Sequence, residues 1–178
     1  QKEDSAQNTA FRWWLGGGVQ LPTGRAGLRD RFGLLFPMWF QPGTGVWGSL
    51  LQSTILWQKG SWGIQGDARF KYSFAHGSGD QPGIQAGLNF LAFRSFIRPT
   101  GSWMPQLGLG LDYFEKDHIN GLRDEASGGL FGFGQLGLEW VGSHWLVQCQ
   151  VRVPVAQWRP ATQPGNTFVS WLGVGYRW

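Results

Sequence analysis

The sequence predicts an all-β protein: a closed antiparallel transmembrane β-barrel of eight strands, with ten as the alternative count. Three observations lead there. Apolar and polar residues alternate with a period of two along many short segments. Large aromatics recur ten residues apart on the apolar side of several of them. The composition also fits a lipid surroundings better than a water-shielded core. The 178 residues include 29 Gly and 12 Trp but are only 15% charged, against about 7% Gly and about 25% charged in a typical soluble domain. Mean hydropathy is -0.23, and no run approaches the roughly 18 apolar residues of a membrane helix. A crossing would therefore be made by strands.

Taken in order, the first segments are Phe11–Leu21 and Phe32–Phe40, both loosely patterned. The turn-rich Gln41-Pro42-Gly43-Thr44-Gly45 then leads into Val46–Trp57. Trp62 to Ser73 alternates most clearly. Its even positions are Trp62, Ile64, Gly66, Ala68, Phe70 and Tyr72, while Gln65, Asp67, Arg69 and Lys71 fall on the odd ones. Such a pattern puts every charge on one face of a strand. After His76-Gly77-Ser78-Gly79-Asp80 come Ile84–Phe96, Trp103–Tyr113 and Leu130–Val141. Trp145–Val155 sets Val147, Cys149, Val151 and Val153 against Gln148, Gln150 and Arg152, and Phe168–Trp178 ends the chain. Regular short strands separated by turns mean a sandwich or a barrel. Aromatic spacing decides for the barrel: Trp47 and Trp57, Trp62 and Tyr72, Trp103 and Tyr113, and Phe168 and Trp178 are ten apart. Ten residues at about 3.3 Å each, tilted roughly 40°, rise about 25 Å, the height of an apolar band bounded by aromatic girdles.

The last strand carries a further signal. Gly173, Tyr176 and Trp178 resemble the C-terminal assembly signal of bacterial outer-membrane proteins, a Gly followed by aromatics at the third-last and last positions. Leu172 stands where that pattern usually has a polar residue. The resemblance implies an outer-membrane location with a signal peptide removed, contact with outer-membrane lipid and lipopolysaccharide, and recognition by the barrel-insertion machinery. Residues 1–10 then read as an N-terminal periplasmic extension and 11–178 as the barrel domain. With the C-terminus in the periplasm, the long connections Arg159–Asn166, Glu115–Ser127 and Ala75–Pro82 fall outside. The short ones, Gly142–His144, Ile97–Ser102 and Gln58–Ser61, fall inside, the asymmetry expected of such barrels. The last eight segments obey it. Phe11–Leu21 is left over, either as an extra strand with a further partner, giving ten, or packed at the periplasmic rim or inside the barrel.

The polar face defines the candidate interior. An interior network is expected from Gln65, Asp67, Arg69, Lys71, Asp112, Glu139 and Arg152, with Gln85, Asn89, Gln135, Gln148 and Gln150 beside them. Charges in a narrow lumen need partners, and an eight-stranded barrel is just wide enough for side chains to fill it. A filled interior is therefore favoured over a channel. The single cysteine, Cys149, excludes an internal disulfide and reads as a small packed residue on the apolar face. No metal-ligand spacing, cofactor motif or basic nucleic-acid footprint is present, and Gly16-Gly17-Gly18 lacks the GKS or GKT of a phosphate loop. Small-barrel enzymes of the outer membrane set His with Ser or Asp at the outer rim. Here His76 with Ser78 and Asp117 with His118 are the residues that would do so, but no third group is anchored to orient a pair.

The expected function is accordingly non-enzymatic: a structural or accessory outer-membrane protein, with docking to other envelope proteins as one form of that role. A lipid A-modifying enzyme and a narrow pore are the alternatives.

Overall fold

The computed structural model describes residues 9–24, 28–29, 31–33, 43, 45–75, 79–161, 163, 165 and 167–178. Eight long strands form one antiparallel meander. In sheet order they are β1 (Thr9–Gln20), β2 (Gly48–Lys59), β3 (Trp62–Ser73), β4 (Gln85–Arg94), β6 (Gly101–Phe114), β9 (Gly129–Val141), β10 (Trp145–Trp158) and β11 (Val169–Tyr176). The short β5 (Phe96–Arg98) folds back on the start of β6, and β7 (His118–Ile119) pairs with β8 (Leu122–Arg123) in a separate hairpin. Two-residue and other short turns gather at one end with the start of β1 and the end of β11. The longer connections gather at the other. These are the turn end and the loop end.

Two sequence expectations change. Phe11–Leu21 is no leftover: as β1 it pairs with β2 over twelve residues, from Thr9 opposite Lys59 to Gln20 opposite Gly48. Its alternation is blurred because Trp14 stands on its polar face and Gly16, Gly17 and Gly18 carry no side chain. Residues 34–40 of the Phe32–Phe40 segment lie outside the described residues, and the eight strands are counted without it. The expected closure is also not shown. Among the described residues β1 pairs only with β2 and β11 only with β10, leaving an open half-barrel.

The burial pattern is inverted relative to a soluble protein. Gln135 is 3% exposed, while its neighbour Leu136, on the opposite face of β9, is 64% exposed. The convex face presents Phe11, Trp13, Ile64, Phe90, Leu107, Leu109 and Val153. Cys149 belongs to this face and is exposed rather than packed. Aromatics mark both of its ends. Trp62, Trp103, Trp145 and Tyr176 stand at the turn end, and Trp47, Tyr113, Trp158 and Phe168 at the loop end. Trp103 meets Trp140 at 6.1 Å, and Trp145 meets Tyr176 edge-on at 4.9 Å.

Two strand prolines fall at irregularities of the ladder. Pro154 opens the register shift between β10 and β9. Pro105 lies between the β4 and β5 pairings of β6, past Gln106 opposite Phe93 and before Trp103 opposite Phe96. A residue without an N–H costs least at such irregularities.

Candidate functional site

The concave face carries a hydrogen-bonded polar spine that crosses six strands. Strand alternation points Arg69 (β3), Asn89 (β4), Asp112 (β6), Gln135 (β9), Gln150 and Arg152 (β10) and Trp171 (β11) the same way. The indole Nε1 of Trp171 donates to Gln150 Oε1 at 2.7 Å, and Gln150 Nε2 donates to Gln135 Oε1 at 2.8 Å. Gln135 Nε2 donates to Asn89 Oδ1 at 3.2 Å, which also receives Arg152 Nη2 at 3.5 Å. Asp112 is the ionic centre. Its Oδ1 lies 2.7 Å from Arg69 Nη2 and its Oδ2 3.2 Å from Arg152 Nη2.

The curvature follows from these bonds. Asn89 and Arg152 are three strand spacings apart, about 14 Å in a flat sheet. Side chains standing perpendicular to a flat sheet would not meet across that distance. Bare positions between the strands make the convergence possible. A Cβ on Gly110 would sit 2.6 Å from Arg152 Nη2, 2.7 Å from Asn89 Oδ1 and 2.9 Å from Gln135 Nε2. One on Gly87 would sit 2.5 Å from Arg69 Nε and 2.9 Å from Asp112 Oδ1. The network occupies the volume these two glycines leave empty.

The expected interior residues therefore divide. Arg69, Asp112 and Arg152 come together, and Asn89, Gln135 and Gln150 join them. Asp67 and Gln65 form a separate cluster: Thr54 Oγ1 donates to Asp67 Oδ1 at 2.7 Å, and Gln65 Nε2 reaches both carboxylate oxygens at 3.0 and 3.2 Å. Lys71 and Glu139 share this face but make no side-chain hydrogen bond or ion pair among the described residues. Phe131 and Phe133 were missed as interior residues. They alternate correctly on β9, but apolar side chains on a polar face give no signal in sequence. They stack at 6.5 Å, Phe114 meets Phe131 edge-on at 5.7 Å, and the Arg152 guanidinium lies 4.3 Å from the Phe133 ring centre.

Above this aromatic layer the loops are stitched together at the loop end. Gln81 and His118 exchange backbone bonds at 2.8 and 2.9 Å. The Gly83 N–H donates to Asp117 Oδ1 at 2.7 Å, the Ile84 N–H to Glu115 Oε2 at 3.2 Å, and Gln163 Nε2 to Ala126 O at 2.7 Å. Lys116 pairs with Glu125. Between the loops lies a cavity of about 410 Å³ lined by Gln85, Phe114, Glu115, Asp117, Ser127 and Phe131. Burial pushes the Asp117 carboxyl above its ordinary range, reinforced by Asp124. The Gly83 N–H and His118 pull the other way.

Among the described residues, no nucleophile and base are hydrogen-bonded to one another here. The Ser127 hydroxyl accepts the Asp117 N–H at 2.7 Å and donates to Asp124 O at 2.9 Å. Asp117 and His118 are in place as neighbours on the loop, while His76 and Ser78 lie outside the described residues. Gly173, Tyr176 and Trp178, the residues that resemble an assembly signal, lie at the end of the chain, where the ring of Trp178 lies 6.4 Å from that of Tyr176. No protein-family model, characterised protein or solved structure matches this chain.

Proposed function

We propose that the chain is a bacterial outer-membrane β-barrel, closed along its first and last strands, with a non-enzymatic structural or accessory role. The observation that carries this reading is the inverted burial: a convex face of exposed Leu, Ile, Val and aromatic side chains behind a concave, hydrogen-bonded polar face. Water would penalise an apolar surface of this extent, whereas hydrocarbon favours it and aromatic side chains suit its two boundaries. Closure is supported by parity. Eight meandering strands make β1 and β11 antiparallel, and both edges hold backbone groups that lipid cannot satisfy. The Trp171–Gln150–Gln135–Asn89 chain and the Arg69–Asp112–Arg152 cluster occupy the space a channel would need, which supports a filled barrel. The partners in this reading are outer-membrane lipid and lipopolysaccharide, the insertion machinery that reads Gly173, Tyr176 and Trp178, and other envelope proteins.

The test is expression in a Gram-negative host. The protein should fractionate with outer membranes, shift mobility between unboiled and boiled samples on a denaturing gel, and leave planar bilayers non-conducting. Recovery in the soluble periplasm without a gel shift refutes the barrel, and stable channels refute the filled interior. A changed lipid A mass, abolished by His118→Ala, refutes the non-enzymatic role.

A further inference from the structure

The convex face is not uniform. Between β2 and β6 it holds an apolar groove of about 750 Å³, walled by Ile55, Trp57, Ile64, Phe90, Leu107 and Leu109. That is within the range of about 300–1,000 Å³ typical of ligand pockets. It exists because Gly66 and Ala92 lie in two successive cross-strand rows among large side chains. Ile55, Gly66, Phe90 and Leu109 make one row, and Trp57, Ile64, Ala92 and Leu107 the next toward the turn end.

The following row in that direction is Lys59, Trp62 and Arg94. Both cations are exposed on the convex face. The Arg94 guanidinium is fixed over Trp62 at 5.1 Å and Phe96 at 5.0 Å from the ring centres. Lys59 and Arg94 flank β3, so their backbones stand about 10 Å apart, close enough for both side chains to reach one group lying over Trp62. Neither forms an ion pair among the described residues. Glu139, the acidic side chain near this end among the described residues, is on the concave side of β9. At the loop end, by contrast, Glu115, Asp117, Asp124 and Glu125 crowd one connection.

From this charge complementarity we propose that the groove binds an anionic phospholipid: one acyl chain lies along the groove, and the phosphate sits between Lys59 and Arg94. The proposal rests on the reading of the convex face as lipid-facing and adds a particular lipid class at a particular place. An aromatic row holding a preset guanidinium, directly below an apolar groove, matches the junction of a headgroup with its chain. A free phosphate has no use for the groove, and a zwitterionic lipid has less use for two cations that have no ion pair among the described residues.

The purified full-length protein would first be mixed with phosphatidylcholine vesicles and floated, then titrated in detergent with phosphatidylglycerol, with phosphatidylcholine of the same chains, and with inorganic phosphate, using native mass spectrometry. We expect co-flotation and about thirtyfold tighter binding of phosphatidylglycerol, from two basic side chains acting on one anionic headgroup. Lys59→Gln with Arg94→Gln should abolish the preference, Arg98→Gln should leave it, and Gly66→Leu should weaken both lipids by filling the groove. Millimolar phosphate should not compete. Failure of the wild type to float overturns the lipid-facing reading and this site with it. Flotation with equal binding of the two lipids, a preference that survives the double substitution, or competition by phosphate overturns the site alone.

Discussion

Removing the carboxylate of Asp112 should be the most damaging single change on the concave face. The side chain is 7% exposed and neutralises two guanidinium groups, Arg69 at 2.7 Å and Arg152 at 3.2 Å. Asp112→Ala leaves both cations behind. Stranding a buried charge by deleting its partner costs about 3–5 kcal/mol. The two arginines do not suffer alike. The Arg69 side chain is 54% exposed and can turn to water, whereas that of Arg152 is 14% exposed and keeps only the long bond to Asn89 and the Phe133 ring. Arg152 therefore accounts for most of the loss, which we place near the lower bound, at about 3 kcal/mol. Asp112→Leu combined with Arg152→Met removes charge and partner together and should recover most of it, because a buried pair replaced by apolar side chains is often neutral. The measurement is urea-induced unfolding of protein refolded into phosphatidylcholine vesicles, followed by gel mobility without boiling. An Asp112→Ala variant within about 0.5 kcal/mol of wild type, a change typical of inconsequential surface substitutions, would refute the ionic centre. So would a double variant no better than the single.

Other expectations follow from the two faces and the loops. Ala68→Arg should destabilise the vesicle-inserted protein by about 2–4 kcal/mol, the cost of Arg at mid-depth on a lipid face, while Gln65→Arg on the concave face should cost much less. Equal stabilities in urea would reverse the assignment of faces. Gly110→Ala should cost about 1–3 kcal/mol by overpacking, since its Cβ meets three polar atoms within 2.9 Å. Gly16→Ala, with nothing within 4 Å, should be neutral or better, and equal losses at the two sites would refute the space-filling argument. For Asp117, burial holds the folded-state carboxyl above its ordinary value of 3.8. Its contribution is thus fully present below that value and lost as pH rises through the folded-state value. Asp117→Asn keeps an acceptor for the Gly83 N–H, so it should gain on wild type in thermal midpoint as pH rises from 4 to 7. A constant difference over that range would refute it.

Much of this was legible in the sequence because a strand in two different surroundings has to alternate. Trp62 to Ser73 set its charges on one face and its aromatics on the other, and β3 follows that division residue by residue. The ionic partners were legible only as a set. Alternation puts Arg69, Asp112 and Arg152 on one face, but it says nothing of register: Arg69 and Asp112 share one cross-strand row through Gly87, while Arg152 reaches Asp112 from the row of Gly108 and Gln135. β1 was misjudged for a related reason: Gly16, Gly17 and Gly18 erase the periodic signal where twelve backbone pairs with β2 still form. Phe131 and Phe133 escaped because an apolar interior residue mimics a break in pattern.

Curvature and side-chain chemistry depend on one another in this sheet. Without bare positions at Gly87 and Gly110, the β3–β4–β6–β9–β10 surface could not bend far enough for Arg69 and Arg152 to share Asp112. Without the shared carboxylate, Arg69 turns to water and Arg152 keeps no ionic partner, so the tie between β3, β6 and β10 is lost. β1 and β11 are the two edges of the sheet, and their antiparallel sense is fixed by the even strand count. An edge in hydrocarbon leaves every outward N–H and C=O unsatisfied, at several kcal/mol each. Closure of the eight strands on themselves would remove that cost from both edges at once. The glycine holes and the Arg–Asp–Arg cluster can thus be understood as the device that sets the radius at which the proposed closure becomes possible, and that radius leaves the lumen room for side chains and little else.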